Sequence, residues 1–148
     1  LAANVAAMLI AFVSIVAMFN YLLSFTGTSL EIILGYVFKP LAWSMGVPWH
    51  EADAMGILMG KKIVFTELIA YGDLKTLLTS GEISSRTAII ASYALCGFAN
   101  FGSIGIQLGG IGGMAPERKK DLAALVTKAM IGGALASWLT ATIAGILI

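Results

Sequence analysis

The chain has 148 residues, 59% hydrophobic and 11% charged, with a net charge of +1. Soluble domains carry about 25% charged residues, and here no charge falls in residues 1–30, 87–116 or 129–148. Each of these runs is long enough to cross about 30 Å of hydrocarbon as a helix, so an all-α polytopic membrane protein is expected rather than a soluble domain. The near-neutral charge and the lack of a basic patch interleaved with aromatics exclude nucleic acid as a partner. Cys96 alone cannot form an internal disulfide, and no Cys or His spacing suggests a metal site. His50, the single histidine, reads as structural, because a catalytic base needs placed partners.

Residues 1–25, rich in Ala, Val, Ile and Met, predict a full span. They do not form a secretory signal, since a basic n-region is missing and the apolar stretch is too long. Because the chain starts at a Leu inside this run, it reads as a fragment of a longer protein. Thr26, Gly27, Thr28 and Ser29 end the span and offer an N-cap to the next helix. Residues 30–45 mix Glu31 and Lys39 with apolar side chains and hold Pro40, which is expected to interrupt the helix. This segment predicts an amphipathic helix lying at the interface, anchored by Tyr36, Trp43 and Trp49.

Residues 50–79 are apolar at the centre yet carry Lys61, Lys62 and Glu67. As one straight helix they would sink these charges into lipid at a cost of at least ~2.5 kcal/mol each. As a hairpin of two half-helices, each rising ~22 Å, the segment places its tip near Phe65, Thr66 and Glu67. Such a re-entrant hairpin is tolerated only where it is buried in protein or lines a cavity. Residues 87–114 are uncharged, with Gly97, Asn100, Gly102, Ser103, Gly105 and Gln107 at their centre. A helix that breaks at its midpoint and places an amide there is the pattern of a broken substrate-binding helix. Residues 115–121 read as a short charged loop, placed in the cytoplasm by Arg118, Lys119 and Lys120. Residues 122–148 form the last span, with Gly132, Gly133 and Ala136 offering a small face for close packing.

Three polar groups thus gather at midplane. A carboxylate at membrane depth marks a functional site, although Glu67 could instead be paired with Lys61 or Lys62. Asn100 and Ser103, spaced i and i+3, share a face if locally helical, and could equally serve as interhelical glue. Together they suit a neutral solute rich in hydroxyls, which a carboxylate and an amide can recognise by hydrogen bonding. Phe98 and Phe101 could pack on a planar ring. No nucleophile–base pair or metal cluster supports an enzyme. A structural or pore-forming membrane subunit for other hydroxylated solutes is the alternative, but polarity clusters at two midpoints instead of forming a continuous stripe.

At these positions the chain resembles a known family. Gly60-Lys61-Lys62-Ile63-Val64-Phe65-Thr66-Glu67-Leu68-Ile69-Ala70-Tyr71 is similar to the G-x-K-x-x-x-N-E-F-x-A signature of the concentrative nucleoside transporters. Residues 93–107, from Tyr93 through Gly97-Phe98-Ala99-Asn100-Phe101-Gly102-Ser103 to Gln107, resemble the family's second signature. The stretch from Gly35 to Trp49 is similar more loosely. The resemblance implies a homotrimeric nucleoside importer, multi-pass in a bacterial cytoplasmic membrane, coupled to sodium or protons and working by alternating access. Residues 1–48 would be scaffold. Residues 49–148 would be part of the transport domain, with the hairpin at 50–79, the broken helix at 87–114 and the last span at 122–148. Glu67, Asn100 and Ser103 would bind ribose, Phe98 would lie by the base, and Thr66 at the hairpin tip would also line the substrate site. The cation site would lie mostly in the missing N-terminal part. Thr66 replaces the family's Asn and Leu68 its Phe, and Gly102 stands where Ser is common, departures that bear on substrate range.

Overall fold

The computed structural model describes residues 1–148. It is built of helices: α1 (Ala2–Ser24), α2 (Leu30–Ser44), α3 (Ala52–Val64), α4 (Glu67–Ser80), α5 (Ser85–Leu95), α6 (Phe101–Met114) and α7 (Lys119–Leu147), with a 3-10 turn at Pro116–Arg118. Two stretches, Ala2–Ser24 of 23 residues and Pro116–Leu147 of 32, are long and apolar enough to cross a membrane. On α1 only Val16 is buried. Its outward Ile10, Val13, Ile15, Met18, Phe19 and Leu22 need an apolar solvent or further protein around them.

The two middle segments divide where their charge and glycine patterns place the breaks. α3 and α4 are joined across Phe65 and Thr66. With 13 and 14 residues, each leg rises about 20 Å at 1.5 Å per residue, too short to cross a bilayer alone. α5 and α6 are separated by residues 96–100, where Gly97 takes φ +140° and a Cβ would meet Ser137 Oγ of α7 at 2.6 Å. Only glycine suits both the dihedral and the space.

α2 lies against α3 along a seam lined by glycines. A Cβ on Gly56 would run into the Gly35 carbonyl, and one on Gly60 into that of Glu31. Backbones brought this close gain dispersion and exclude lipid, as at small-residue crossings in membranes. α1 approaches α6 in the same manner, the Met8 and Asn4 carbonyls lying about 3 Å from where Cβ atoms of Gly105 and Gly109 would stand. The core is shared by α2, α3, α5 and α7, with Met45, Met55, Met59, Ile90 and Leu95 at its centre.

Three expectations are corrected. α2 runs through Pro40 to Ser44 without interruption. Pro40 and Tyr36 are both on the exposed side, so the Tyr36 carbonyl that loses its intrahelical donor is not sealed in the core, and the seam with α3 offsets the proline penalty. The charged loop is shorter than expected, because Lys119 to Asp121 are already the first turn of α7, where Arg118 Nε donates to Asp121 at 2.6 Å. On α7, Gly133 meets Ala99 at ordinary contact distance while Gly132 has no neighbour, and the tightest approach is at Gly145, against the Met45 carbonyl. The inward stripe is Val126, Met130, Ala134, Ser137, Trp138, Ala141 and Gly145, a 3–4 residue spacing that follows the helix period and passes beside the glycine pair.

Candidate functional site

The hairpin tip and the broken helix meet at one point. Glu67 opens α4 and Asn100 caps α6, and Asn100 Nδ2 donates to Glu67 Oε2 at 3.2 Å. Two helix N-termini, each with a partial positive charge, therefore converge beside a carboxylate, which they stabilise. The C-terminal ends of α3 and α5 arrive at the same level, at Phe65 and Cys96.

The two junctions are built differently. At the broken helix, Asn100 Oδ1 accepts from the Ser103 amide at 2.8 Å, and the Ser103 hydroxyl donates to the Asn100 carbonyl at 2.6 Å and accepts from the Asn100 amide at 3.3 Å. This is a reciprocal capping box, which satisfies orphan amides at both ends of the turn. Asn100 and Ser103 are each 1% exposed. Ser103 therefore lies behind Asn100, with its hydroxyl committed to the cap, whereas the Asn100 amide faces the carboxylate. At the hairpin tip, Thr66 occupies the N-cap in extended conformation without a side-chain cap bond. Thr66 and Phe65 border an apolar cavity of about 140 Å³ against Leu9, Phe12 and Val16 of α1.

Glu67 is half-buried and lacks an ion pair, because Lys61 binds Asp73 on the other leg of the hairpin. Phe98, on the linker between α5 and α6, is 58% exposed, and Cys96 beside it is exposed as well. Glu67 and Phe98 thus leave a carboxylate oxygen and an aromatic face exposed, groups that can bind hydroxyls and a flat ring. Phe101, by contrast, packs against the core. Of the expected groups, Asn100 and Glu67 are in contact and Ser103 is bonded to Asn100, while Thr66 borders the cavity against α1 and Phe98 stands on the exposed linker.

Sequence reasoning did not pick out two supports. Tyr71 Oη donates to the Ser92 carbonyl at 2.7 Å, tying the hairpin to α5. At the hairpin base, Glu51 accepts from the Ser84 amide and hydroxyl at 3.1 and 3.0 Å. Burial would raise the Glu51 carboxyl, but the bonds from Thr87 and Ser84, with His50 nearby, hold it below the usual carboxylate value. Ser84 is also the N-cap of α5, so Glu51 fixes the broken helix to the hairpin at the end remote from the site.

Comparison with known proteins agrees with this architecture. Residues 1–145 match the family described as "Na+ dependent nucleoside transporter C-terminus". The chain is 49% identical to the uncharacterized transporter YutK of Bacillus subtilis, over all of this chain and 38% of YutK. It is 41% identical to human solute carrier family 28 member 3, over 99% of this chain and 24% of that protein. The solved structure of a doubly substituted CNTnw in an outward-facing state superposes with a TM-score of 0.92 at 42% identity, covering 99% of this chain and 38% of CNTnw. CNTnw in an inward-facing, substrate-bound state gives 0.78 at 44% identity, covering 95% and 36%. The chain thus spans about two fifths of YutK and of CNTnw and a quarter of the human relative. These relatives are membrane transporters and not enzymes, and the chain belongs to the sodium-dependent nucleoside transporter family, of which it carries the C-terminal region.

Proposed function

We propose that the longer protein containing this chain imports nucleosides across a bacterial cytoplasmic membrane by alternating access, coupled to a cation gradient. The observation that carries this reading is the Glu67–Asn100 contact at 3.2 Å between two helix N-termini, beside an exposed Phe98. Glu67 and Asn100 bind ribose hydroxyls, Ser103 holds Asn100 in place, Phe98 stacks on the base and Thr66 lines the tip. A site that recognises a hydroxyl rejects the analogue lacking it, because a buried acceptor is then left unpaired.

Sodium is the coupling ion favoured by the family's description, and its site lies mostly in the N-terminal part of the transporter, which also completes the open side of this one. The assembly is a homotrimer. The hairpin is re-entrant, since its legs are too short to span. α1 is scaffold, and the closer likeness to an outward-facing state supports reading its placement against α6 as outward-facing.

Labelled uridine uptake by the full-length protein in a transport-deficient cell, with and without a sodium gradient, tests the reading. Accumulation above the external concentration that vanishes with the gradient is expected. Equilibration without accumulation would favour a passive pore, and no uptake would remove nucleosides as the substrate.

A further inference from the structure

Lys61 and Lys62 are adjacent in sequence, yet they have opposite fates. Successive helical residues point about 100° apart, so in a helix packed on several sides one of the two must turn inward. Lys61 turns outward and pairs with Asp73. Lys62 is 0% exposed, and its Nζ has no hydrogen-bond partner. It lies in the last turn of α3, across the tip from Glu67, the first residue of α4, and near Cys96, the C-cap of α5.

A buried ammonium without hydrogen bonds is costly, and methionine of similar length would pack in its place at no such cost. The compensation available is electrostatic: the carbonyl-rich C-terminal ends of α3 and α5, and the Glu67 carboxylate at the hairpin tip. All three belong to the proposed binding site: Lys62 sits on the leg of the hairpin that leads into the tip, and Asn100 bonds Glu67 from the broken helix.

We propose that the Lys62 ammonium is a built-in cation of the solute site, holding the Glu67 carboxylate aimed at the ligand while neutralising the two carbonyl ends that meet there. It is a positioning residue that acts through Glu67 and never touches the solute. This rests on the nucleoside reading for the identity of the ligand alone.

The experiment uses the full-length transporter in detergent, with Lys62→Met, which keeps length and removes charge, and Lys62→Ala, which leaves room for n-propylammonium. Lys62→Met is expected to weaken uridine binding by about tenfold or more, because the Glu67 carboxylate loses a nearby opposite charge in a low-dielectric setting, while the protein stays folded. Adding it to Glu67→Gln should cause no further loss. Lys62→Ala should regain thermal stability with n-propylammonium and not with n-propanol. Wild-type affinity in Lys62→Met, or full additivity with Glu67→Gln, overturns the proposal. So does a Lys62→Ala protein that propanol rescues equally or that neither compound rescues. Should wild type bind no nucleoside, the solute assignment fails, and the propylammonium comparison still decides the role of Lys62.

Discussion

The hairpin and the broken helix each interrupt a helix at its midpoint, but they solve the interruption in opposite ways. The broken helix satisfies itself: Asn100 and Ser103 are 1% exposed and close a capping box, and the Gly97 linker is clamped against Ser137. The hairpin tip is left unsatisfied. Thr66 gives no cap bond, Glu67 keeps one oxygen for other partners, and Lys62 sits uncompensated by hydrogen bonds beneath it. One junction is a rigid platform and the other is charged and adaptable. A site that must hold a solute and then release it needs both, since a fixed donor set gives selectivity and a junction with few internal bonds can open at small cost.

This contrast can be broken by mutation. The largest effect is expected at Asn100. Asn100→Ala removes the acceptor of the Ser103 amide and the donor to Glu67, so stability should fall by about 1–3 kcal/mol through loss of the cap and burial of unpaired groups. Thermal melting of the full-length protein checks this, and an unchanged Tm would mean that the platform is not rigidified by its cap.

A smaller effect follows from acid. Because the Glu51 carboxyl lies below its ordinary value when folded, its contribution to holding the hairpin base on Ser84 is complete above the unfolded carboxylate value. It is lost as pH falls through the lowered folded value. Wild type should therefore lose stability over that acidic window more steeply than Glu51→Gln, which starts lower. Parallel pH profiles would show that Glu51 does not link the two units.

The smallest effect is expected at Thr66. With no cap bond to lose, Thr66→Ala should change stability by under about 0.5 kcal/mol. A loss comparable to that of Asn100→Ala would erase the distinction between the junctions.

The breaks themselves were legible in the sequence, because membrane depth makes charge and glycine placement informative. Lys61, Lys62 and Glu67 in an apolar segment forced a hairpin, and Asn100 amid glycines marked the second break at the residue that caps α6. What was not legible depended on neighbours. Pro40 stays helical because α3 lies against α2. The choice between Gly132 and Gly145 on α7 was set by where the Met45 turn comes to rest. Which of two adjacent lysines turns inward depended on the rotation of α3. The i, i+3 spacing of Asn100 and Ser103 fits a shared helix face and also the return bond of a capping box, and the capping box became visible only with the fold.

The central claim is that Glu67 is the solute's main hydrogen-bond acceptor, and the most direct test is labelled uridine uptake by the full-length protein carrying Glu67→Gln, compared with wild type at matched membrane abundance. The account predicts that uptake falls to the background of cells lacking the transporter while the mutant stays folded. Uptake by Glu67→Gln at the wild-type rate would contradict it.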